Sequence, residues 1–154
     1  MPSPEEGPRR GRQGEVMAVR ARNILVGYDG SEAARRALDA AADLTGYGSS
    51  LSVVSVASRP ENGSSNGSVA PDGHVPARRL LSEARSLLLR RHVTARYIEP
   101  VGEPADMLME TARELDADLI VVGRRDQNPL RRLVLGSVSS KVLRRAECDV
   151  LVIR

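Results

Sequence analysis

Phenylalanine and tryptophan are absent from this 154-residue chain, and tyrosine occurs three times. A core must therefore be aliphatic, built from Val, Leu, Ile and Ala, and aromatic platforms for stacking nucleic-acid bases are scarce. Cysteine occurs once, as Cys148. That excludes an intramolecular disulfide, and with no C-x-x-C or Cys/His cluster there is no thiolate metal site to consider; a packing role just ahead of an apolar strand is expected of it. The two histidines, His74 in a Gly/Pro-rich stretch and His92 at a predicted helix end, are isolated and suggest neither a ligand set nor a catalytic dyad. No run approaches 18 apolar residues and the first residues lack the apolar segment of a signal peptide, so a cytoplasmic protein with no membrane contact is expected.

Charge is modest in sum and uneven in place. The net charge is +3, with an excess of +2 in residues 1–22, −4 in residues 23–118 and +5 in residues 119–154. A basic last quarter on a nearly neutral chain suggests a local anion site rather than a nucleic-acid surface, although solvated Arg on exposed faces explains the charge equally well. Residues 1–16 are Pro, Gly, Arg and Glu with almost nothing to bury. We expect residues 1–21 to be a disordered tail ahead of a single domain spanning 22–154, and Met17 is an alternative start.

Five short apolar runs alternate with helical patterns: Asn23–Tyr28, Leu51–Ala57, Val93–Ile98, Asp118–Gly123 and Asp149–Arg154. This alternation marks βαβ units feeding a parallel sheet. The first, fourth and fifth runs are near-continuous aliphatics, as in strands covered on both faces, whereas the third alternates as an edge strand would. Ala34, Ala37, Leu38, Ala41 and Leu44 line one helix face, and Leu80, Leu81, Ala84, Leu87 and Leu88 a second. Pro104 opens a third helix with Leu108, Ala112 and Leu115 on one face, and Ser137–Arg145 forms a fourth. Residues 58–76 are rich in Gly, Ser, Asn and Pro without periodicity, a long loop that reads equally well as a lid or as an insertion. Right-handed crossovers and one longer return lead to a doubly wound, five-stranded parallel α/β sheet of order 3-2-1-4-5. Ligands on such sheets bind beyond the carboxyl ends of the strands where the order reverses, here between strands 1 and 4.

Two segments fall at that point. After strand 1, Gly27-Tyr28-Asp29-Gly30-Ser31 forms a turn ending in an N-cap. Asp29 there can meet a ribose hydroxyl or a cation, or can simply satisfy its own turn; its place at the switch point favours the first. After strand 4, Gly123-Arg124-Arg125-Asp126 leads through Arg131 and Arg132 to Gly136-Ser137-Val138-Ser139 at a helix start. Glycines allow close backbone approach, a helix start attracts anions, Ser137 and Ser139 add hydroxyls, and four Arg can neutralise a polyphosphate.

Strand 1 with its Val-Gly-Tyr-Asp-Gly-Ser end, Val138-Ser139, Lys141-Val142 and the terminal Cys-Asp-Val-Leu-Val-Ile strand together resemble the universal stress protein family over residues 22–154. Nucleotide-binding members of that family carry Gly, two residues, Gly, nine residues, then Gly-Ser or Gly-Thr. This chain keeps the spacing as Gly123, Asp126 and Gly136-Ser137, with aspartate at the second glycine. The resemblance implies an adenine nucleotide alpha hydrolase-like fold and a site for ATP or AMP, with Mg2+ as a further candidate. By it, Gly27 and Asp29 would meet the ribose, Val56 and Val122 would flank adenine, and Gly123, Gly136, Ser137 and Ser139 would line the phosphates, with Tyr28, Arg125, Asp126 and Val138 as further nucleotide-binding candidates. A carboxylate about 4 Å from a phosphate charge costs on the order of 4 kcal/mol at an effective dielectric near 20, which the four Arg or a magnesium ion on Asp126 would offset.

The resulting expectation is a nucleotide-binding stress or signalling module rather than an enzyme, homodimeric through its C-terminal strand, read by a protein partner of unknown identity. The alternatives are a nucleotide-independent dimeric interaction protein of the same family and a slow ATP hydrolase. No nucleophile and base stand together in the sequence to support fast turnover.

Overall fold

The computed structural model describes residues 22–57, 75–124 and 136–154. The expected tail 1–21, most of the 58–76 loop and the segment carrying Arg125, Asp126, Arg131 and Arg132 lie outside the described residues. Five strands, β1 (Asn23–Gly27), β2 (Ser50–Val54), β3 (Arg96–Ile98), β4 (Leu119–Gly123) and β5 (Asp149–Ile153), alternate with four helices, α1 (Glu32–Leu44), α2 (Ala77–Arg90), α3 (Pro104–Glu114) and α4 (Ser137–Arg145). All pairings are parallel and the order is β3-β2-β1-β4-β5, as the connection rules predict.

The period of two along the strands divides the core between the sheet's faces. Ile24, Val26 and Tyr28 of the first strand pack with Leu51, Val53, Val121 and the apolar stripes of α1 and α2. Leu25, Val54, Ile120 and Val122 point the other way, onto Ala105, Leu108 and Ala112 of α3 and Val142 of α4. Leu25, Leu38, Leu88 and Ile120 are fully buried, and burial of such a side chain contributes roughly 1.5–3 kcal/mol. Covering the sheet on both sides is what makes β1 and β4 continuous aliphatic runs.

Caps set where two of the helices begin. The Ser31 hydroxyl accepts the Ala34 N–H at 3.1 Å, and the Glu103 carboxylate accepts the N–H groups of Ala105 and Asp106, each at 3.1 Å, with Pro104 in the first turn. At the opposite edge of the sheet, the Asp118 carboxylate accepts the N–H groups of Arg22 and Asn23 at 2.8 Å, pinning the entry of β1 beside β4.

Three expected boundaries shift. The third strand is confined to Arg96–Ile98, because only Ser52–Val54 lies opposite it; Val93 and Ala95 instead pack on the α1/α2 core after His92 turns the chain at φ 57°. The second strand ends at Val54, but the chain stays extended, with Ala57 bridging Val101. Leu44, expected on the buried face of α1, is exposed at the helix end.

Candidate functional site

The carboxyl ends of β1 and β4 lie side by side at the centre of the sheet, and the turn after β1 is the best-braced part of that edge. The Tyr28 N–H donates to the Val54 carbonyl at 2.8 Å, extending the sheet one residue beyond β1. The Asp29 carboxylate accepts the Ser31 N–H at 3.0 Å while the residue itself is exposed. Gly30 sits at φ +76°, a conformation that disfavours a side chain, and a Cβ there would come within 2.6 Å of Leu80 Cδ2 on α2. The sequence-based alternative for Asp29, that it satisfies its own turn, is thus realised with one oxygen, without withdrawing the residue from solvent.

Tyr28 enters the turn through its backbone only. Its ring is buried in the α1/α2 core, and its hydroxyl donates to Glu83 Oε1 of α2 at 2.8 Å. Arg35 of α1 binds the same carboxylate oxygen through Nε at 2.8 Å and Nη2 at 2.7 Å. Burial and then the Glu83 carboxylate push the Tyr28 phenol up to about 12. The Tyr28 hydrogen bond and the Arg35 guanidinium hold the Glu83 carboxyl below the usual carboxylate range, against the effect of its partial burial. Tyr28, expected among the nucleotide-binding residues, thus has its side chain committed to the α1/α2 core. Glu83, Arg35 and Leu80 were not among the expected site residues. The available signal was a charged residue inside the apolar stripe of α2, three residues after Leu80 and four before Leu87.

The two strand-end glycines are explained first by packing. A Cβ on Gly27 would lie 3.1 Å from Leu108 Cδ1 and 3.4 Å from Val122 Cγ1. A Cβ on Gly123 would lie 2.4–2.7 Å from the backbone of Ala33 and Ala34, so the absent side chain at Gly123 lets α1 approach β4. Val56 is half-buried and Val122 buried, both packed on the α3/α4 face of the sheet. Arg124, expected as an open-loop cation, is buried, and its N–H donates to the Ile153 carbonyl at 2.7 Å.

α4 starts at Gly136 without a side-chain cap. The N–H groups of such a first turn have no intrahelical partner and carry the positive end of the helix dipole. Ser137 is exposed and Val138 half-buried, whereas the Ser139 hydroxyl, expected to donate to a ligand, is buried and donates to the Gly136 carbonyl at 3.1 Å. Arg125 and Asp126 lie outside the described residues. Lys141 of α4 is drawn to the start of α3 by Glu103 Oε1 at 3.0 Å. Burial would raise the Glu103 carboxyl, but the Lys141 ammonium and two backbone N–H groups outweigh it and hold the carboxyl low.

Among the described residues this edge offers the exposed Asp29 carboxylate and a start of α4 without a side-chain cap. A separate cavity of about 190 Å³ lies at the opposite edge, between the ends of α3 and α4, with Met109, Ala112 and Ile120 in its wall and Cys148 beside them. It is remote from the switch point. Burial raises the Cys148 thiol, in keeping with the expected packing role. Among the described residues there is no cluster of three or more His, Cys, Asp or Glu suited to a metal, and no helix long and apolar enough to cross a membrane.

The fold is thus that of a doubly wound α/β protein with its topological switch point between β1 and β4. The universal stress protein family model matches residues 20–154, and the chain belongs to that family. Universal stress protein Rv1636 of Mycobacterium tuberculosis is 32% identical over 142 residues, covering 86% of this chain and 95% of that protein. Universal stress protein YxiE of Bacillus subtilis is 33% identical over 144 residues, covering 85% and 97%. Among solved structures, a universal stress protein in complex with cAMP superposes with a TM-score of 0.70 at 29% identity, over 87% of this chain and 97% of that one. A universal stress protein from Archaeoglobus fulgidus gives 0.64 at 31% identity, over 86% and 98%.

Proposed function

We propose that this universal stress protein is a stress-response module that binds an adenine nucleotide at the carboxyl edge of β1 and β4 and passes its ligand state to partners without turning the nucleotide over. The observation that carries the reading is the meeting, at one switch point, of the exposed Asp29 carboxylate, the Val56/Val122 pair and the uncapped start of α4. The cAMP held by a structural relative supports the same ligand class. Asp29 and the Gly27 backbone would hold the ribose, Val56 and Val122 the base, and Ser137 with the α4 N–H groups the phosphate. The nucleotide supplies the signal by its presence, and ATP and AMP are the candidates the family resemblance implies.

His92 follows α2 and Cys148 precedes β5, both at the opposite edge of the sheet, so neither reaches this site. Their placement supports binding over catalysis. Calorimetric titration of the full chain with cAMP, AMP and ATP, the last with and without magnesium, tests the reading. Saturable binding of one of them, weakened at least tenfold by Asp29→Ala, is the expected result. No heat with any nucleotide would overturn it.

Asp126 tunes the phosphate end in this proposal. If its charge opposes ATP, Asp126→Asn and Asp126→Gly should both tighten binding. If the missing close backbone approach is the obstacle, only Asp126→Gly should do so. A carboxylate that holds magnesium would instead make both changes weaken magnesium-dependent ATP binding and leave AMP unaffected.

A second reading, a dimeric interaction module independent of nucleotide, is favoured by β5. It forms one edge of the sheet, and its Val150, Leu151, Val152 and Ile153 remain only half-buried.

A further inference from the structure

We infer that helix α2 holds the Tyr28–Ser31 turn in its ligand-ready shape, with Glu83 as the positioning residue for the ribose end of the site. The inference rests on the nucleotide reading above and names the device that shapes that site.

Glu83 of α2 joins the residue that follows β1 to α1. Its Oε1 receives the Tyr28 hydroxyl from the end of β1 and the Arg35 guanidinium from α1. One turn earlier on α2, Leu80 occupies the space a side chain at Gly30 would need. The turn is consequently gripped on both sides of Asp29: Tyr28 through its hydroxyl, Gly30 through contact with Leu80. The same short stretch continues into α1 through the Asp29–Ser31 and Ser31–Ala34 hydrogen bonds. A movement of α2 cannot leave Asp29 where it is without breaking the Tyr28–Glu83 bond or opening a gap at Gly30. Glu83 acts on the turn through Tyr28, and Leu80 through Gly30.

The test uses the full chain and two readouts. Amide exchange is followed at Ser31 and, as a global reference, at the buried β1 and β4 residues Leu25 and Val121. Affinity is measured with cAMP and AMP. In Glu83→Ala and in Tyr28→Phe, we expect Ser31 exchange to rise about tenfold, the equivalent of one lost hydrogen bond, with little change at Leu25 and Val121, and nucleotide affinity to fall in step. Glu83→Gln keeps a carbonyl oxygen for both Tyr28 and Arg35 and should restore both readouts to near wild type. Tyr28→Phe keeps the buried ring, so the test survives should Glu83→Ala fail to fold.

Unchanged Ser31 exchange in both variants, exchange that rises equally at Leu25, or affinity that falls without a faster turn would each overturn the inference. So would a loosened turn that binds nucleotide as tightly as wild type. If wild type takes up neither nucleotide, the binding reading fails by itself, and the exchange measurements still decide whether α2 holds the turn.

Discussion

Gly27 and Gly123 end adjacent strands, yet what stands over them differs in kind. The atoms nearest a Cβ at Gly27 are tips of Leu108 and Val122 side chains, which can give by a few tenths of an ångström; those at Gly123 belong to the α1 backbone. Gly27→Ala should therefore be tolerated, whereas Gly123→Ala should cost at least the 1–3 kcal/mol typical of overpacking, read as a lower urea midpoint at constant slope. Equal costs at both positions would contradict this account. Tyr28 makes a second residue-level prediction. Its phenol is pushed up to about 12 in the fold from an ordinary value of 10.0, so the protonated form is the one the native state favours. The associated stability is fully present below pH 10 and is lost as pH rises through 12. The difference in unfolding free energy between wild type and Tyr28→Phe should shrink over that window by up to about 2–3 kcal/mol.

At the scale of elements, the α3/α4 layer is tied at its site end by Glu103. One oxygen caps α3 and the other receives Lys141 of α4, while Arg145 meets Asp106 of α3 at 2.9 Å. Glu103→Ala should lower stability by about 1 kcal/mol, the usual worth of an N-cap, whereas Glu103→Gln should retain most of the cap and lose the ion pair. Because the Glu103 carboxyl is held low, its contribution is present above the ordinary carboxylate range and is lost as pH falls through the folded-state value. Wild type should accordingly converge on Glu103→Gln, which keeps the cap without the charge, as the pH falls below the ordinary carboxylate range. On the other face, Arg91 gathers α1 and α2 by contacting Asp39 and Asp43, and those carboxylates raise its own affinity for the proton against partial desolvation.

For the whole molecule, the exposed side of β5 is the feature that points outward. A half-buried apolar strand with no further strand beside it among the described residues invites pairing with its own copy, and β4 occupies its inner side from Leu119 to Gly123. Sedimentation at micromolar concentration should show a dimer, and Val152→Lys should shift it toward monomer without unfolding the sheet. Monomeric wild type would leave β5 as a tolerated edge. The proposed dimerisation and the proposed nucleotide binding are separable, because β5 is an outer strand while the proposed site lies at β1 and β4.

How much was legible follows from the range of each interaction. Strand alternation, helix stripes and short connections act locally, so the order β3-β2-β1-β4-β5 and the switch point at β1/β4 could be read from residue spacing alone. The family resemblance was legible for the same reason, since Gly27-Tyr28-Asp29-Gly30-Ser31 and Gly136-Ser137 are contiguous signals. What a side chain does at that edge was not local. Tyr28 turns its ring away from the edge because β1 alternates and α2 offers Glu83, 55 positions later, as an acceptor. Gly123 is glycine because α1 crosses over it, and Ser139 gives its hydroxyl to its own helix start. The sequence by itself determined the fold class and the place of the β1/β4 switch point; only the tertiary structure decided which groups at that edge remain available, because packing between distant elements claims donors and space that a linear pattern leaves open.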